Sequence, residues 1–236
     1  MGLGSAVHHI GTFCLVVALV LFIVVTITAP VVNGLSMMHV DLGRNAASAD
    51  EVTFGTFGYC VRSSRGDDCT SSRVGYNPAA LMRRLDGTPF NDASANTAKA
   101  LTRVMVLHPV ALGLCFIASL LLCISSGVVG SLLASLVSLA AFLAALVAMI
   151  CDFVALGIVK RHVNDHNVSQ AKWGSGIWLV LVAALLTLLG AAIVFVTCCC
   201  GRESKSRRRR AANEPKEPWH MTPATAERGR TRGRFW

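Results

Sequence analysis

The chain has 236 residues, of which 53% are hydrophobic and 15% charged, and its mean hydropathy is +0.56. Soluble globular chains carry about 25% charged residues, so this composition excludes an ordinary soluble domain. The formal net charge is +9, and from Arg202 to Trp236 eleven Lys/Arg stand against four Asp/Glu, directly after an apolar stretch; basicity so placed points to anionic lipid of the inner leaflet, with no nucleic acid expected.

The apolar residues fall in four long blocks, and blocks of about 18 residues or more read as membrane helices. The first covers residues 10–32. It lacks a basic leader and exceeds the ~7–15 apolar residues of a signal peptide, so it is an anchor that stays, preceded by a short cytoplasmic segment, 1–9. A polar loop follows over 33–103. The second block is 104–124, and Ser125-Ser126-Gly127 makes a tight turn into the third, 128–159. The length of the third implies tilt or projection beyond the lipid. Small residues recur in it at four-residue spacing (Ser131, Ser135; Ala134, Ser138; Ala141, Ala145; Ala144, Ala148), which suits close helix packing in the bundle interior. A short polar loop, 160–175, leads to the fourth block, 176–200. Residues 201–236 are rich in Arg, Pro, Glu and Thr and read as a disordered basic tail.

The expected fold is therefore an all-α membrane protein, a four-transmembrane-helix bundle with a small disulfide-stapled, β-rich extracellular loop. Arg202, Lys205 and Arg207, Arg208, Arg209 and Arg210 follow the fourth helix, and the positive-inside rule puts that end in the cytoplasm. Four crossings put the amino terminus there too. The N-x-S/T sequon at Asn167 then falls outside, as a glycosylation candidate.

The cysteines sort by compartment. Cys60 and Cys69 share the outer loop, an oxidising place, and a disulfide is predicted between them. Cys115 and Cys151 read as small packing residues. Cys14, Cys123 and the run Cys198, Cys199, Cys200 lie at cytoplasmic helix ends; the run is the best S-acylation candidate, the alternative being ordinary helix residues.

In the outer loop, residues 52–60 are β-prone, and Arg73-Val74-Gly75-Tyr76 reads as a return strand. Asn77 and Pro78 are an N-cap and first-turn proline for a helix over 78–85, stopped by Gly87. Residues 87–96 read as flexible. Phe54, Gly55, Phe57, Gly58, Tyr59 and Cys60, then Cys69, then Gly75 and Tyr76, resemble the outer-loop signature of fungal PalI-type tetraspan membrane proteins. The resemblance continues through Leu107-His108-Pro109, Cys151-Asp152-Phe153 and Trp173, over about 190 residues. Eisosome-associated tetraspans share this layout, as do claudins more distantly, but those relatives prefer tryptophan where this chain has Phe57. The resemblance implies a non-enzymatic accessory role in fungal ambient-pH signalling, placing or stabilising a seven-helix pH sensor at the plasma membrane. The alternatives are an organiser of plasma-membrane microdomains and a small transporter or channel.

Ionisable groups inside membrane helices are functional candidates by default. His108 and Asp152 sit at similar depth in the outer halves of adjacent antiparallel helices. They read as one polar pair, either a proton-sensitive latch or a static clasp fixing helix register. His162 and His166, four apart beyond the third helix, read as part of a solvated loop. No metalloprotease, nucleotide-loop or nucleophile-elbow motif occurs, so no catalytic residue, metal or cofactor is expected. The terminal Arg228–Trp236 stretch reads as a lipid- or acid-binding end.

Overall fold

The computed structural model describes residues 3–32, 34–43, 49–124 and 128–213. The turn at Ser125–Gly127 and the Arg228–Trp236 end lie outside them. Four helices are long and apolar enough to cross a membrane, spanning His9–Thr26, Asp92–Ile124, Val129–His166 and Ser175–Cys198. They belong to helices α1 (Leu3–Thr26), α3 (Asp92–Val104) with α4 (Leu107–Ile124), α5 (Val128–His166) and α6 (Ser175–Asn213), with α2 (Pro78–Leu85) between the first and second spans. α1 packs on α4 and α6, and α5 packs on α4 and α6, closing a four-membered ring.

The centre of the ring is built from small side chains. Ala18, Ala111, Cys115, Ala141, Ala145, Ala183 and Ala184 form one buried cluster around Phe22. Most of the α5 stripe faces inward: Ala134, Ser135, Ser138, Ala141, Ala145 and Ala148 are buried and Ser131 and Ala144 half-buried, while Leu132, Leu136, Leu139 and Leu143 face out. Small residues let helix backbones approach in lipid, where apolar surface alone gives no association drive.

α1 ends six residues before the expected Val32. Its last carbonyls are taken by threonine hydroxyls: Thr26 donates to Phe22 O, and both Thr28 and Thr56 donate to Val25 O. The second span begins earlier than the expected residue 104. Asn91 caps α3 by accepting from Ser94 N–H at 2.7 Å, and the helix runs to Val104 before one irregular turn. Pro109 explains that turn. It has no N–H for the Met105 carbonyl, which accepts from His108 N–H at 3.1 Å instead.

α5 has 39 residues, about 58 Å at ~1.5 Å rise, against a hydrocarbon core of about 30 Å. Its far end projects rather than merely tilting: Leu156, Val159 and Val163 are buried in the same core as Val40, Val52 and Phe54 of the sheet.

That sheet has five antiparallel strands: β1 (Met38–Asp41), β2 (Glu51–Phe54), β3 (Tyr59–Ser63), β4 (Gly66–Cys69) and β5 (Gln170–Trp173), in the order β4-β3-β2-β1-β5. Three features correct the sequence reading. The partner of β3 is β4, not residues 73–76. The turn that makes this possible is built from Ser63, whose hydroxyl donates to Gly66 O and accepts from Arg65 N–H. Gly66, Asp67 and Asp68 are exposed, so no apolar alternation advertises the strand. Residues 160–175 are no simple loop, because α5 continues to His166 and β5 pairs with β1, Val40 opposite Ala171. Residues 87–96 are packed rather than flexible: Thr88 is buried, and Phe90 stacks on His162 at 4.8 Å between ring centroids.

α6 continues past Cys200 to Asn213, so the first part of the basic segment is helical where a disordered tail is expected. Arg, Lys, Glu and Ala are good helix formers, and basic residues suit the C-terminal end of the helix dipole. Arg207, Arg208, Arg209 and Arg210 lie on this extension, and their side chains, like those of Cys199 and Cys200, are outside the described residues.

Candidate functional site

The site grows from the turn between β2 and β3. Gly55 N–H donates to Gly58 O at 2.9 Å, reversing the chain after Phe54. A Cβ on Gly55 would collide with the Ala29 carbonyl, so glycine alone lets this turn lie against the end of α1. Thr56 completes the junction, its N–H donating to the Thr28 hydroxyl at 3.1 Å. Phe54, Tyr59 and Tyr76 then form an aromatic triad, with centroid separations of 6.2 Å (Phe54–Tyr76, stacked), 6.3 Å (Phe54–Tyr59) and 6.0 Å (Tyr59–Tyr76).

Tyr76 is the hinge of this group. Its hydroxyl donates to Gly55 O at 2.8 Å, and its own carbonyl accepts from Thr102 on α3 at 2.8 Å. Burial pushes the phenol pKa well up, and the charge of Asp152 raises it further, so it stays a proton donor. Tyr76→Phe is expected to leave the buried Gly55 carbonyl without its side-chain donor and to cost about 1–3 kcal/mol. Thermal unfolding of the purified protein checks this; an unchanged midpoint would show that the bond contributes nothing.

The Cys60–Cys69 disulfide joins directly opposed residues of β3 and β4. Ion pairs brace the sheet: Arg62 with Glu51 at 3.1 Å and Asp67 at 3.4 Å, and Lys172 with Asp41 at 2.8 Å.

Beneath the sheet, His108 of α4 and Asp152 of α5 meet. His108 Nε2 lies 2.7 Å from Asp152 Oδ2, both side chains are 0% exposed, and the Phe22 ring of α1 lies 6.4 Å from the imidazole. The distance is that of a charge-assisted hydrogen bond. The outer atoms of the pair, His108 Nδ1 and Asp152 Oδ1, have no partner among the described residues. The pair can hold or pass one proton between its two members, and each ring of packing around it isolates it from solvent.

The structure places the other expected residues apart from this centre. Asn167 is exposed at φ 57°, a left-handed conformation that asparagine tolerates, after the end of α5. His162 and His166 lie on α5 and are half-buried rather than in a solvated loop: the His162 ring stacks on Phe90 and its Nδ1 lies 2.9 Å from Ile158 O. No group of three or more metal-type side chains occurs among the described residues. Cys115 is buried and Cys198 is half-buried. The threonines at the α1 junction escape sequence reasoning, since no spacing in the chain links Thr28 to Thr56. Trp173 of β5 stands opposite Met38 of β1, joining the two loops, and packs on Phe153 of α5 at 5.5 Å.

A ring of four spanning helices, small-residue packed, capped by a disulfide-linked sheet and holding one buried His–Asp pair, defines a multi-pass tetraspan membrane protein. The SUR7/PalI family model matches residues 7–190, so the chain belongs to that family. That match covers every spanning helix but the last turns of the fourth, and both loops that build the sheet. Comparison with curated proteins gives no match.

Proposed function

We propose that the protein is a non-enzymatic accessory component of fungal ambient alkaline-pH signalling, helping to place or stabilise a multi-helix pH sensor in the plasma membrane, with both termini cytoplasmic and the sheet outside. Family membership supports the class, and the observation that carries the reading further is the buried His108–Asp152 pair. An ionisable pair in a spanning bundle is costly to keep unless it serves packing or signalling. The partner is another membrane protein such as a seven-helix sensor, and the basic extension of α6 meets anionic lipid of the inner leaflet.

A deletion strain tests this. Growth at alkaline pH and pH-response processing are expected to fail and to recover with the intact gene, and the protein is expected to co-purify with a multi-helix receptor. Normal alkaline growth with intact processing, or confinement of the protein to static membrane patches without such a receptor, would favour the microdomain organiser. The deletion strain complemented with a tagged gene carries the topology test: a reporter at Trp236 should be cytoplasmic and Asn167 reachable by lumenal glycosylation. A lumenal carboxyl terminus would overturn the orientation.

A further inference from the structure

The charges of the sheet-side domain are segregated. On the strands, Glu51, Asp67 and Asp41 are matched by Arg62 and Lys172. Around α2 and α3 the balance is different. A half-open cavity of about 380 Å³ is lined by Tyr59, Tyr76, Asn77, Arg73, Arg84 and Lys99, with no carboxylate in its wall. None of the three cationic side chains has an ion-pair or hydrogen-bond partner among the described residues. Such a volume lies within the roughly 300–1,000 Å³ of small-ligand sites.

Three local features fix the backbone that carries the cations, whose side chains are exposed. Gly75, at φ +75°, carries the chain past α3 so closely that a Cβ there would meet Arg103 Cγ. The Arg73–Gly75 segment is thereby pinned, and Arg73 N–H donates to Phe57 O at 2.8 Å. Asn77 caps α2, whose first turn also lines the cavity through Ala80, and the positive end of a helix dipole favours an anion. Lys99 lies one turn before Arg103 and two before Leu107, where α4 begins. At ~1.5 Å per residue Lys99 stands about 12 Å from that point along the helix path. Val106 and Val110 are exposed apolar side chains just below. Lys99 of the cavity wall thus lies at the sheet-side end of the second candidate span.

We propose that this cavity binds a phosphate-bearing anion. Two guanidinium groups and an ammonium suit a multi-oxygen anion, since arginine donates in a planar fork to phosphate and lysine acts as a point charge. The tyrosine faces give the cavity an apolar wall for whatever carries the phosphate. Two sources offer this chemistry, the headgroup of a phospholipid in the adjacent leaflet and free phosphate in the surrounding water. The site is independent of the signalling role proposed above and of the orientation of the chain.

The test uses the purified full-length protein carrying R207Q, R208Q, R209Q and R210Q, which removes lipid binding by the basic extension of α6. Native mass spectrometry follows retention of phosphatidic acid against diacylglycerol, and thermal stabilisation by inorganic phosphate is measured on the same sample. Phosphatidic acid is expected to be retained over diacylglycerol, and R73Q/R84Q/K99Q is expected to weaken that retention by about tenfold or more, with the Cys60–Cys69 disulfide intact. R65Q/K172Q, which removes cations from the strand side, should change little. Stabilisation by inorganic phosphate, lost in the triple variant, would assign the same site to a soluble ion. Equal retention of the two lipids with no effect of phosphate overturns the proposal, as does an equal loss in R65Q/K172Q. Capture of a polyglutamate peptide in place of either phosphate probe would also overturn it, in favour of an acidic protein partner.

Discussion

His108→Leu and Asp152→Leu are each expected to lower surface abundance and thermal stability sharply, and the double replacement to recover part of both. The two side chains are fully buried, 2.7 Å apart, and the remaining nitrogen and oxygen have no other partner among the described residues. A single replacement leaves the surviving member without its one hydrogen-bond partner among the described residues. The magnitudes separate two effects. A hydrogen bond between membrane helices contributes only about 0.6 kcal/mol on average, whereas breaking a buried ionic pair from one side costs about 3–5 kcal/mol, because an ionisable group is stranded. A large loss in the single variants with recovery in the double therefore reads the stranded group rather than the lost bond. Strictly additive losses would show that the residues do not interact energetically. The recovered double variant also separates the latch from the clasp. If the pair senses protons, the protein reaches the membrane but the alkaline response fails. If it only fixes the register of α4 against α5, the response persists.

Cys60→Ser and Cys69→Ser are expected to loosen β4 from the sheet and to retain the protein in the secretory pathway. β4 is an edge strand with its first three residues exposed, so little apolar burial holds it. A separation of 9 residues corresponds to roughly 2.7 kcal/mol of loop-closure entropy, a large share of the stability of so small a unit. The damage should reach Tyr59, which precedes Cys60 and belongs to the aromatic triad with Phe54 and Tyr76. Surface biotinylation and protease sensitivity of the outer loop report the change. Wild-type trafficking and wild-type protease resistance in both variants would show that the disulfide is dispensable.

Much of this architecture is legible in the order of residues because it depends on local quantities. Hydropathy is summed over consecutive residues, so the four spans appear directly, and the four-residue spacing of small side chains marks the inner face of α5. The asparagine-proline start of α2 is a local signal too, and Asn77 does cap Ala80. His108 and Asp152 stand out as polar residues in apolar helices, and a short connection brings such neighbours to similar depth.

Tertiary structure alone decided what those residues touch. β1 pairs with β5 across 131 positions, and no local pattern records that a four-residue strand beyond α5 completes the sheet of the first loop. β4 is polar because an edge strand need bury neither face, so periodicity missed it and favoured the more apolar residues 73–76, which instead form the turn pinned by Arg103. Thr28 and Thr56, the unpaired cations around α2 and α3, and the extra length of α5 beneath the sheet are likewise products of packing. By itself the sequence determined the number of spans and the disulfide pair, because solvent partition and compartment act on each segment separately. Strand order, the aromatic triad and the basic cavity required the folded chain, because they rest on contacts between segments that solvent preference alone does not bring together.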